Sequence, residues 1–203
     1  MLGEAIGVFG GTFNPIHNGH IKLACSIMER LQLSCVILVP SRIPPHKSLS
    51  SNILPMHRME MCRLACEQYD KLYVSDIEIG QNSVSYTYLT LERLCDQFPS
   101  TPIYFIVGAD MFLSLRTWKN YKRIFELASI CTVPREKHGI VELKNFAKFL
   151  NSEGAVTFVE DVVCPNISST VIRKMIVNGE DISKYVPRSV NEYILKKHLY
   201  MEG

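Results

Sequence analysis

The sequence predicts an α/β fold: a doubly wound, mostly parallel sheet with a helical C-terminal extension. Three observations carry that prediction. Short, continuously apolar runs, CVILVP at 35–40 and IYFIV at 103–107, have the look of strands covered on both faces. Segments with apolar residues at helical spacing stand between such runs. The chemically unusual residues follow the strands, where the ligand crevice of a parallel sheet lies. Length and composition agree. The chain has 203 residues, 47% hydrophobic and 21% charged, which is ordinary globular usage and speaks against disorder or a fibrous repeat. A fold of this length buries roughly 70% of its unfolded surface without staples.

The elements follow in order. Residues 4–9 are a short β-prone run ending at Gly10 and Gly11. From 19 to 31, Ile21, Ala24, Cys25, Met28 and Leu31 keep helical spacing. The strand at 35–40 runs into a proline-rich loop, a helical stretch at 56–69 and a short strand at 72–75. Tyr88, Leu91, Leu94, Cys95 and Phe98 outline the next helix, which precedes the strand at 103–107. Residues 129–133 and 156–159 read as further strands, with a helix at 142–150 between them. From Ser168 onward the pattern is two helices separated by residues 181–188. Alternating strands and helices imply right-handed βαβ units and hence a Rossmann-like sheet. With no internal repeat or linker, one domain is expected over 1–203, a Rossmann-like core at 1–165 and a helical part at 166–203.

Charge and cysteine usage exclude several classes. Lys plus Arg number 22 against 20 Asp plus Glu, a balance of +2 that is too near neutral for a nucleic-acid or membrane-surface protein. An anion must then be captured by a local site. The 7 cysteines are odd in number and form no C-x-x-C pair, so they read as reduced core thiols. Cys62 and Cys66, one helical turn apart, fit packing better than a metal site. No basic segment followed by a long apolar run marks a signal peptide, and no apolar stretch approaches the roughly 20 residues that span a bilayer. A soluble, cytoplasmic protein is expected.

The most informative stretch is GGTFNPIHNGH, Gly10 to His20, between the first strand and the first helix. Gly10 and Gly11 are expected to let the backbone turn sharply and approach a ligand. Gly19 and His20 open a helix whose amides and positive dipole end attract phosphate. His17 and His20 lie one helical turn apart, so both imidazoles can face one spot. The dipole opposes added positive charge, which favours neutral imidazoles donating hydrogen bonds over general bases. Three alternatives rank lower. A dinucleotide fold wants G-x-G-x-x-G, which Gly7, Gly10 and Gly11 do not supply. A metal site lacks a nearby third ligand. A merely rigid loop with two satisfied histidines fits a lone H-x-x-H better than a loop of this composition.

ISSTVIR, Ile167 to Arg173, repeats the logic near the other end of the chain. Ser168 is a natural N-cap, and Ser169 and Thr170 add hydroxyls and amides at a second helix start. Arg173 opposes that helix's dipole and so asks for an anion, which its guanidinium can hold with two parallel hydrogen bonds. Taken alone, an exposed surface arginine is a serious competitor. Gly108 and Asp110 directly follow the strand IYFIV; Asp110 also reads as a simple helix cap. The loop PPHK ends in Lys47, a cation for an acceptor phosphate, although a solvated lysine reads equally well. Ser85, Tyr86 and Thr87 begin a helix with amides free for an anion such as a carboxylate. The single tryptophan, Trp118, is either core or a stacking surface for a flat heteroaromatic ring.

G-G-x-F-x-P-x-H-x-G-H resembles the signature of the nucleotidyltransferase superfamily that includes the class I aminoacyl-tRNA synthetases. ISSTVIR resembles the same superfamily's I-S-S-T-x-I-R motif. With PPHK, SYT and GAD plus a downstream tryptophan, nearly the whole chain is similar to the bacterial nicotinate-mononucleotide adenylyltransferases. The resemblance implies adenylyl transfer from ATP to nicotinate mononucleotide in NAD biosynthesis, with Mg²⁺ held mainly by substrate phosphates and no protein metal site. It implies His17, His20 and Arg173 as catalytic residues. It assigns Gly10, Gly11, Thr12, Phe13, Gly19, Gly108, Asp110, Ile167, Ser168, Ser169 and Thr170 to ATP, with Gly108 and Asp110 near the ribose. Lys47, Ser85, Tyr86, Thr87 and Trp118 fall to the acceptor. Partners are then small molecules, with no nucleic acid and no membrane; a homo-oligomer is compatible. Nicotinamide mononucleotide, phosphopantetheine and a non-catalytic nucleotide-binding module are the rival readings. Four positions depart from the family pattern: Asn14 for a common Asp, Leu89 for Asp, Arg116 for Pro, and Arg135-Glu136 for Arg-Pro. Leu89 and Arg116 bear on the acceptor side rather than on the chemistry.

Overall fold

The computed structural model describes residues 5–43, 53–80, 84–134, 139–162 and 164–201. Lys47 and the PPHK loop lie outside the described residues, as do Arg135 and Glu136. The strands are β1 (Ile6–Gly11), β2 (Cys35–Pro40), β3 (Leu72–Val74), β4 (Ile103–Ile106), β5 (Ser129–Thr132) and β6 (Thr157–Val159). Between and after them run α1 (Asn18–Arg30), α2 (Pro55–Cys66), α3 (Thr87–Gln97), α4 (Ala109–Leu113), α5 (Tyr121–Leu127), α6 (Ile140–Ser152), α7 (Ser169–Val177) and α8 (Arg188–Lys196).

The six strands pair in the order β3-β2-β1-β4-β5-β6, and all these pairings are parallel. This is the doubly wound arrangement the sequence predicts. Strand order reverses at β1, which pairs with β2 on one side and β4 on the other, so the switch-point crevice opens above the β1–β4 boundary.

Alternation along β1 divides the core. Phe9 faces one cluster with Ala24, Leu38 and Met61; Ile6 and Val8 face the other with Leu91, Phe112 and Leu150. Ile172, Ile182, Val190 and Ile194 of the C-terminal part join the Phe9 cluster. α8 packs on α2, where His57 Nδ1 and the Tyr193 hydroxyl are 2.9 Å apart.

Two differences from the sequence reading have physical causes. β1 continues through Gly10 and Gly11, which pair with Val39 and Pro40, so the turn does not form at the glycines. It forms at Phe13, whose φ of 47° lies in the left-handed region. The helix α5 is absent from the sequence reading because it has 7 residues and buries only Ile124 and Phe125, too few for a stripe. The cysteines are all free, and burial pushes the Cys66 thiol up to about 12. Among the described residues no helix is long and apolar enough to cross a membrane.

Candidate active site

The first-loop histidines are set by packing that starts at Gly11. A Cβ there would stand 2.7 Å from the Phe13 ring, so only glycine leaves room for that buried phenyl group. Phe13 in turn meets His20 edge to face at 5.1 Å. The His17 backbone N–H donates to His20 Nδ1 at 3.2 Å. An imidazole nitrogen accepts only when unprotonated, so the neutral ring carries its proton on Nε2, as a donor. His17 stacks on His20 with ring centroids 3.6 Å apart. Gly19 makes that stack possible: a Cβ would press within 3.1 Å of the His17 ring and 3.3 Å of the Pro165 carbonyl. At the start of α1 the Asn18 amide donates to the Tyr185 carbonyl and the His20 amide to the His17 carbonyl, which leaves the Gly19 amide beside the cavity.

The second motif is bonded directly to the first loop. The Ser169 hydroxyl donates to the Pro15 carbonyl at 2.9 Å, and Arg173 Nη1 donates to the Asn14 carbonyl at 2.7 Å. Arg173 Nη2 reaches back to the Thr170 hydroxyl at 3.3 Å, so the guanidinium does lie over its own helix start. Ser168 occupies the N-cap position of α7, but its side chain makes no cap bond.

Both helix starts open into one cavity of about 590 Å³ at the switch point. Its lining includes Gly10, Gly11, Thr12, Phe13, His17, Gly19, His20, Gly108, Ile167, Ser168, Ser169, Thr170 and Arg173. Across from them stand Ser85, Thr87 and Trp118. Trp118 leans edge to face on Phe105 at 6.2 Å. Two expected residues are outside the lining. Asp110 is exposed in the first turn of α4, and the Tyr86 ring lies under the Lys119 ammonium, 4.3 Å from its centroid. The amides of Ser85 and Tyr86 are engaged by the Ile43 and Val84 carbonyls, which moves the open helix start on to Thr87.

Three residues of the site escape sequence reasoning. Arg58 of α2 is 0% exposed; its Nη1 donates to the Thr12 carbonyl at 2.7 Å and its Nη2 to the Arg42 carbonyl at 3.1 Å. Burial lowers the proton affinity of this guanidinium, and Glu78 offsets part of that. Glu78, buried in the cavity wall, accepts a 2.6 Å bond from the Thr90 hydroxyl and another from Ser85. Burial raises its carboxyl above the ordinary value; those two bonds, Arg93 and Arg58 pull it back. The Ser85 hydroxyl also accepts the Arg42 amide at 3.1 Å. Ser41, at the end of β2, presents a buried hydroxyl with no partner among the described residues. Among the same residues no group of three or more His, Cys, Asp or Glu could hold a metal.

The cytidylyltransferase-like family model matches residues 8–175. A protein of Clostridium botulinum strain Okra, named "Probable nicotinate-nucleotide adenylyltransferase", is 38% identical over 98% of this chain and 100% of its own length. One of the same name from Desulfatibacillum aliphaticivorans is 34% identical over 97% and 99%. The fold is that of the Plasmodium falciparum nicotinic acid mononucleotide adenylyltransferase complexed with NaAD, with a TM-score of 0.80 at 21% identity over 97% of both chains. With relatives of this identity along nearly its whole length, the chain belongs to the nicotinate-nucleotide adenylyltransferase family of the cytidylyltransferase-like proteins.

Proposed function

We propose that this protein transfers the adenylyl group of Mg·ATP to nicotinate mononucleotide, forming nicotinate adenine dinucleotide and pyrophosphate, a cytoplasmic step of NAD synthesis. One observation carries the reading: two helix starts, one with His17 and His20 and one with Ser169, Thr170 and Arg173, open into a single cavity whose opposite wall holds Ser85, Thr87 and Trp118. The names of the relatives support the choice of acceptor.

The acceptor phosphate is an anion at neutral pH, so its attack needs no strong base. Its oxygen forms a bond to the α-phosphorus while the bond from that phosphorus to the bridging oxygen breaks, and the electron pair leaves with pyrophosphate. Proximity and orientation alone supply roughly 7–11 kcal/mol to such a step. The His20 Nε2–H and the Gly19 amide stabilise charge on the α-phosphate, and His17 braces the His20 ring. Arg173, Ser168, Ser169 and Thr170 receive the departing pyrophosphate. Magnesium would come with ATP as part of the substrate and would neutralise phosphate charge there, since among the described residues the walls offer cations, amides and hydroxyls and no carboxylate cluster to hold it. Thr87 and Trp118 hold the carboxylated pyridine, and Lys47 meets the acceptor phosphate.

The test is pyrophosphate release from Mg·ATP with nicotinate mononucleotide or nicotinamide mononucleotide at equal concentration. A strong preference for the nicotinate form is expected. A preference for the nicotinamide form transfers the chemistry to that acceptor, and release with neither overturns the reading.

A further inference from the structure

The loop that aims the histidines is held from outside itself. The Thr12, Asn14 and Pro15 carbonyls are each gripped by a side chain of α2 or α7: Arg58, Arg173 and Ser169. A fourth grip comes from beyond α8. The Tyr200 hydroxyl donates to Asn14 Oδ1 at 2.7 Å, in a buried bond between residues 186 apart in sequence. Asn14 lines the cavity; Tyr200 does not.

His198 takes the left-handed conformation that closes α8, where the Leu199 amide donates to the Ile194 carbonyl at 3.0 Å. Tyr200 is left-handed too, with a φ of 65° that is costly for a residue with a Cβ. Its ring packs in the Phe9 cluster of the core, and its phenol end is spent on a polar partner in the loop. The Tyr200 phenol is 7% exposed. Burial raises it far above the ordinary tyrosine value against the pull of Arg173 and Arg58, so it stays a protonated donor at every working pH.

We propose that Tyr200 is a positioning residue for adenylyl transfer, fixing through Asn14 the loop from which His17 and His20 face the reacting phosphate. The inference rests on the reading under Proposed function. Tyr200 touches no substrate. Its effect falls on the placement of groups that act in the transition state, so it shows in kcat more than in KM.

The experiment compares the parent with Tyr200→Phe, Asn14→Ala and the double variant, which remove one bond from its two ends. Melting temperature, kcat, both KM values and the ATP dissociation constant are measured. For Tyr200→Phe, kcat is expected to fall about three- to tenfold, the worth of one hydrogen bond, with the KM for ATP within twofold. The double variant is expected to be no slower than Asn14→Ala. A Tyr200→Phe enzyme that melts earlier but keeps the parent kcat and KM overturns the proposal, and so does one that fails to fold. Multiplying losses in the double variant also overturn it. If the parent itself releases no pyrophosphate, the adenylyl-transfer reading falls and the role of Tyr200 in that transfer falls with it; an active parent beside an equally active Tyr200→Phe enzyme overturns this proposal alone.

Discussion

The role proposed for His20 rests on a proton it cannot place on Nδ1, because that nitrogen already accepts the His17 amide. In the proposed mechanism, replacing His20 by Ala removes a donor that matters most when charge builds on the α-phosphate. A fall in kcat of about 10²–10³ is expected, with the ATP dissociation constant changed only a few-fold, by steady-state kinetics beside equilibrium binding. Trp118 has its proposed role on the other wall. Trp118→Ala is expected to raise the acceptor KM about tenfold and leave ATP binding unchanged, as loss of a stacking face does. Glu78 carries a pH signature. Its carboxyl is raised in the fold, so the neutral form is favoured there; its contribution to stability is present below the ordinary carboxylate value and is lost as pH rises through the raised one. Urea denaturation across that range should find Glu78→Gln gaining on the parent as pH increases, since glutamine has no charge to bury.

At the scale of elements, α2 has a task beyond packing. Arg58→Met would orphan the Thr12 and Arg42 carbonyls, at roughly 1–3 kcal/mol each, so a loss on the order of 2–6 kcal/mol is expected in denaturant unfolding. Nothing in the sequence around Arg58 announces this. An arginine in a helix reads as a surface residue, and its two partners are backbone oxygens brought together only by the fold. Tyr200 is hidden for the same reason, since its partner lies at the opposite end of the chain. By contrast, β2 and β4 declare themselves through continuous apolar runs, and α1 and α7 through the motifs at their starts. Those signals are local. The glycines of the first loop mislead because a sequence suggests flexibility where the fold uses absence: Gly11 stays in the strand, and its missing Cβ is the space that Phe13 fills. The helix α5 is too short to show a period.

Across the whole molecule, the doubly wound sheet does the placing. It sets β1 between β2 and β4, so one crevice collects the loop after β1, the end of β2, the segment after β4 and the start of α7. The motifs legible in the sequence thus meet, although the sequence alone does not show how they are bonded to one another. Arg58 has one more consequence. Its two carbonyls belong to the loops that follow the neighbouring strands β1 and β2, and Arg42 is further tied through its amide to the Ser85 hydroxyl and so to Glu78. Parting those two loops would mean breaking a buried, charge-assisted bond, at about 1.5–3 kcal/mol. The loops after β1 and β2 are therefore pinned to one spine, α2, and this edge of the crevice keeps its spacing for as long as Arg58 holds both.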